Sequence, residues 1–176
     1  MSRKPILPRL IQRLRRDQSG AAAVEFALWG VLFFGVIIVS LDFGFYLAYT
    51  GRVASASEQA AVIAYNKRAS GPVSASDLSR FIAYSADVPG DPVRTPVTCN
   101  GSTQACAAQP AARSCACVSG MAPTYTPEVC GAVCPSGATA GYYVTLASEY
   151  DFKAVVSPHP FLQGKVIRQS ATVRLQ

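Results

Sequence analysis

Apolar residues run almost unbroken from Ala21 to about Tyr49, with Glu25 and Asp42 as the only charges. The uncharged core, Phe26 to Leu41, is 16 residues long and marginal for a bilayer span. The full stretch exceeds the ~20 residues that a hydrocarbon core requires. Phe43, Phe45, Tyr46 and Tyr49 would then form an aromatic belt at the outer interface. The helical pattern continues beyond them. Tyr49, Val53, Ala56, Ala60 and Ile63 recur every three or four residues, and no Pro intervenes before Pro72. The pattern predicts one helix from about Ala21 to about Lys67, about 70 Å long at the α-helical rise.

Gly71-Pro72 closes that helix. Ser76 is the expected cap of a short helix through about Ser85, with Leu78, Phe81 and Ile82 on its buried face. Residues 88–96 (VPGDPVRTP) form a Pro/Gly connector, and residues 97–141 show little periodicity. Order returns near the end of the chain. Tyr142, Val144, Leu146, Tyr150 and Phe152 alternate with polar or small neighbours, as a half-buried strand does. Ile167, Ala171, Val173 and Leu175 alternate with Arg168, Ser170, Thr172 and Arg174 and predict a second strand. Paired antiparallel, the two would pack on the distal half of the long helix. The expected fold class is α+β: a long N-terminal transmembrane helix running into a small head with a C-terminal antiparallel β-sheet.

Charge sharpens this picture. The chain of 176 residues carries a formal net charge of +6, but six of its basic residues and only Asp17 among the acids lie in residues 1–20. The remainder is nearly balanced. A nucleic-acid partner would need a basic face on the folded part, so none is expected. Lys and Arg beside an apolar span stay cytoplasmic. Leu7, Leu10, Ile11 and Leu14 fit either a polar tail or a short amphipathic helix lying on the cytoplasmic leaflet. Three segments result: a basic leader over 1–20, a membrane-spanning and assembly helix over 21–67, and a head over 68–176 with a Cys-rich insert at 97–141.

All six cysteines, Cys99, Cys106, Cys115, Cys117, Cys130 and Cys134, fall in that insert. With the C-terminal part translocated, an even count favours three disulfides, for which fifteen connectivities exist. Cys115 and Cys117 share a face if extended, so each is expected to bond elsewhere. A zinc site is disfavoured, because the only histidine, His159, lies between prolines in a connector. No nucleophile pattern, phosphate-cradling loop or metal constellation is legible, so neither enzymatic activity nor a cofactor is expected.

Three readings compete for the N-terminal third. Ala54-Ser55-Ala56 looks like a signal-peptidase site, but cutting there requires a leader of unusual length. A plain uncleaved anchor, whose head binds envelope components, explains the apolar run and leaves Gly20 and Glu25 as coincidences. In the third, a basic leader ends at Gly20. Gly20-Ala21-Ala22-Ala23-Val24-Glu25-Phe26 resembles the type IV pilin class, whose leader ends in Gly and whose mature helix carries Glu at its fifth position.

The likeness narrows further. Arg16-Asp17-Gln18-Ser19-Gly20 through Leu28, Asp42-Phe43-Gly44, the Ala-rich Val53 to Ala64 and the ending Ile167 to Leu175 resemble the TadE-like family. These are minor pseudopilins of the tight-adherence (Flp) pilus system. The resemblance covers residues 13–66 and 142–176 and leaves out the Cys-rich insert. It implies that a membrane-embedded prepilin peptidase cuts between Gly20 and Ala21. Glu25 would then pair with the N-terminal amine of a neighbouring subunit. The implied partners are that peptidase, other pilins and pseudopilins, and the pilus assembly platform of the bacterial inner membrane. The head would lie in the periplasm. Asp42 is expected in the outer headgroup region, solvated.

Overall fold

The computed structural model describes residues 19–69, 71–103, 106–154, 156 and 162–176. Residues 1–18 of the basic leader and the connector residue His159 lie outside them. Helix α1 spans Ser19–Lys67 without a break, within two residues of the predicted start. Helix α2 spans Ala75–Ser85. The strands are β1 (Val97–Cys99), β2 (Cys115–Ser119), β3 (Thr124–Glu128), β4 (Tyr143–Asp151) and β5 (Val166–Arg174).

The fold is α+β, with α1 followed by antiparallel sheets and three disulfides. The larger sheet has the order β1-β4-β5. In it β4 pairs antiparallel with β5, from Tyr143 opposite Arg174 to Asp151 opposite Val166. Along β4 every second residue is buried: Val144, Leu146, Ser148 and Tyr150. The predicted alternation holds, with a serine at one inward position.

This sheet packs on the distal half of α1. Val53, Ala56, Ala60 and Ala64 are buried at three- and four-residue intervals and share one core with Leu146, Phe152 and Ile167. The alanines matter here because their single methyl lets a sheet approach the helix closely, and overpacking such a site costs about 1–3 kcal/mol. Helix α2 packs against the same helix through Leu78 and Ile82, while Phe81 is only half-buried. Its cap is Ser74 rather than Ser76. The Ser74 hydroxyl accepts from the Asp77 N–H at 3.4 Å, and Ser76 instead hydrogen-bonds Ser74.

The insert is more regular than its composition suggests. Strands β2 and β3 form a separate antiparallel ribbon, from Cys115 opposite Glu128 to Ser119 opposite Thr124. Cys115 bonds to Cys130 and Cys117 to Cys134, so neither closes on the other. Cys99 bonds to Cys106. Asn100 adopts a left-handed conformation (φ 46°), which Asn tolerates better than most residues. There its side-chain oxygen accepts from Tyr143 N–H at 2.9 Å while its amide donates to Ser114 O at 2.6 Å, joining the two sheets.

Candidate membrane and assembly interface

Below Asp42 no residue of the helix is buried among the described residues. Phe26, Trp29, Val31, Phe33 and Val36 are all exposed on this arm. Its length and composition suffice for a membrane span, consistent with membrane association.

Gly20 and Ala21 lie in the first turn of α1, both exposed, with open space around Gly20. First-turn N–H groups have no acceptor within the helix, so opening this turn breaks few hydrogen bonds. Glu25 is also exposed, four residues beyond Ala21 and hence on the same helix face.

Asp42 departs from expectation. It is fully buried, and its carboxylate accepts from the Val156 N–H at 3.0 Å. The charge is enclosed by the head rather than solvated. Tyr46 and Tyr49 depart from the aromatic-belt reading for the same reason. Tyr46 packs edge-on against Phe152, with ring centroids 5.3 Å apart. Tyr49 meets Tyr150 edge-on at 6.0 Å. Phe43 and Phe45 remain exposed beside them, Phe43 against Tyr46 and Phe45 stacked on Tyr49.

Sequence reading passed over a polar contact further along the same seam. The hydroxyls of Ser57 and Ser148 lie 2.6 Å apart, both buried. The signal was present, since each serine occupies a position in an apolar series: Ser57 four residues after Val53, and Ser148 between Leu146 and Tyr150.

Two titrating features frame the head. At its edge Lys153 Nζ lies 2.7 Å from Asp91 Oδ2. The hydrogen bond and charge of each hold Asp91 below and Lys153 above their ordinary values. Inside, burial pushes the phenols of Tyr142 and Tyr150 up. Ala107 N–H donates to the Tyr142 oxygen at 2.8 Å, and the Tyr150 hydroxyl donates to Pro89 O at 2.8 Å. Arg113 is buried with its guanidinium 5.6 Å from the Tyr142 ring, and donates from Nη1 to Arg68 O at 3.1 Å.

All six cysteines are oxidised, which leaves no thiolate for zinc. Among the described residues no group of three or more His, Cys, Asp or Glu side chains could hold a metal ion.

Residues 20–62 match the family model for TadE-like protein. This segment is TadE-like. It takes in the exposed arm, Asp42 and most of the face that docks the head. The TadE-like family implies a protein associated with the Tad pilus. The match stops at residue 62, so the likeness of Ile167 to Leu175 to that family's ending stands on sequence alone. Comparisons with curated proteins and with solved structures find no match to the chain.

Proposed function

We propose that this chain is a minor pseudopilin of a tight-adherence pilus, without enzymatic activity, that contributes to the assembly or priming of the fibre. The observation that carries this reading is the TadE-like segment itself. It begins at Gly20, the residue on which the basic leader ends, and runs along a helix that is bare and apolar first and docks a head afterwards.

In this reading the leader stays in the cytoplasm and the disulfide-bearing head enters the periplasm. A prepilin peptidase cuts between Gly20 and Ala21, where small residues on both sides let an unwound first turn enter a tight active site. The new Ala21 amine is an ammonium in or near the membrane. A lone carboxylate in apolar surroundings costs several kcal/mol or takes up a proton, and a close ammonium offsets much of that cost. Glu25 would thus pair with the Ala21 amine of a neighbouring pilin or pseudopilin, checking register as a subunit leaves the inner-membrane platform.

The test is the mature N-terminus, read by intact mass and N-terminal peptide mapping of protein from membranes that carry the pilus machinery. A chain that starts at Ala21, and no longer does so after Gly20→Leu or removal of the peptidase, supports the reading. A chain that keeps residues 1–20 overturns it in favour of an uncleaved bitopic protein whose head binds envelope partners.

A further inference from the structure

Glu25 and Asp42 are seventeen residues apart on one unbroken helix, about 25 Å at the α-helical rise. The hydrocarbon core of a bilayer is about 30 Å thick. If α1 spans the membrane, it cannot keep both carboxylates outside the hydrocarbon, and any tilt shortens their separation further. Sliding the slab outward beyond Asp42 would engulf Arg52, Glu58 and the head's core. Sliding it inward beyond Glu25 would leave the apolar arm in water.

A charge in hydrocarbon needs a partner and a shield. Of the two, Asp42 has both: it is fully buried and accepts from the Val156 N–H. One turn lower, Ile37 and Ile38 are half-buried. Flanking the docked face, the apolar surface continues past Asp42 through Phe43 and Phe45 to Leu47, the last 60% exposed. From Ala21 to Leu47 that surface runs about 40 Å, which matches a bilayer with its interfacial layers rather than the hydrocarbon alone.

We infer that the head is seated in the outer face of the bilayer rather than above it. Lipid reaches Leu47 on the exposed side of α1, and the head at Val156 lies beside Asp42 at the level of the upper acyl chains. Asp42 is the latch that holds the head against a helix already in lipid. The partner is thus a lipid surface, met by a protein face and not by the span alone. The inference rests on α1 being a membrane span, which the proposed function also requires, and is independent of cleavage at Gly20.

The test places single tryptophans in the full chain, reconstituted in phosphatidylcholine vesicles, after Trp29→Phe removes the native one. Leu47→Trp and Val156→Trp report on the two sides of the seat, and Tyr84→Trp, on the exposed side of α2, serves as the head control. With lipids brominated near the top of the acyl chain, strong loss of emission is expected at positions 47 and 156 and none at 84. Water-like, unquenched emission at both 47 and 156 overturns the inference. So does blue-shifted but unquenched emission at 47, since a neighbouring protein would then cover that face. Leu47→Trp lies on a bare helix face and leaves the fold intact if Val156→Trp disturbs the latch. Retention of residues 1–20 in cells would overturn the pseudopilin reading and leave this result standing.

Discussion

Ser57 on α1 and Ser148 on β4 share a hydrogen bond of 2.6 Å, buried between the helix and the sheet and spanning 91 positions of sequence. The two hydroxyls are not equivalent. Ser57 Oγ also bonds to Val53 O at 3.0 Å, within its own helix.

That asymmetry sets different costs for the two truncations. In Ser148→Ala the Ser57 hydroxyl keeps Val53 O, and the loss is about 1 kcal/mol, the net worth of one hydrogen bond. In Ser57→Ala a buried Ser148 hydroxyl loses its partner on the helix, and the cost rises to about 1–3 kcal/mol. Thermal unfolding of the full chain in detergent checks the order. Equal losses would mean that the seam does not carry the contact.

The disulfides of the insert stabilise by restricting the unfolded chain. Cys115–Cys130 and Cys117–Cys134 close separations of 15 and 17 residues, against 7 for Cys99–Cys106. Removing either of the longer two, as paired Cys→Ala variants, is expected to cost about 3 kcal/mol, and the shortest somewhat less. A reductant should lower the melting temperature of the head while leaving the helicity of the α1 arm unchanged by circular dichroism. An unchanged melting temperature would count against a stapled head.

Alkaline pH should loosen the head before mild acid does. The folded-state values of Tyr142 and Tyr150 are raised above the ordinary 10.0, chiefly by burial. Their contribution to stability is therefore complete below about pH 10 and falls as pH rises through the folded values, because the unfolded chain releases its protons first. Lys153, also raised, acts in the same direction, although its exposed pair with Asp91 contributes little. The lowered Asp91 acts only in acid, below its ordinary 3.8. Melting temperatures from pH 8 to 12 should fall from about pH 10 upward, and Tyr150→Phe should flatten part of that fall.

The long helix and the two C-terminal strands were legible because their signals are local. Three- and four-residue spacing of Val53, Ala56 and Ala60, and two-residue alternation of Val144, Leu146 and Tyr150, each declare a face without reference to the rest of the chain. The junction at Gly20 and Glu25 is likewise a matter of order along the chain, and there the TadE-like segment begins. What remained hidden depends on residues distant in sequence. Asp42 reads as solvated until Val156, 114 positions later, donates to it. Ser148 reads as a gap in a strand until Ser57 stands opposite. Six cysteines fix an even count and a common face for Cys115 and Cys117, yet pairing requires β2 and β3 to bring Cys130 and Cys134 within reach. Periodicity specifies which side of an element is buried. Only the packed structure specifies against what, because the closure of long loops leaves no trace in the local pattern.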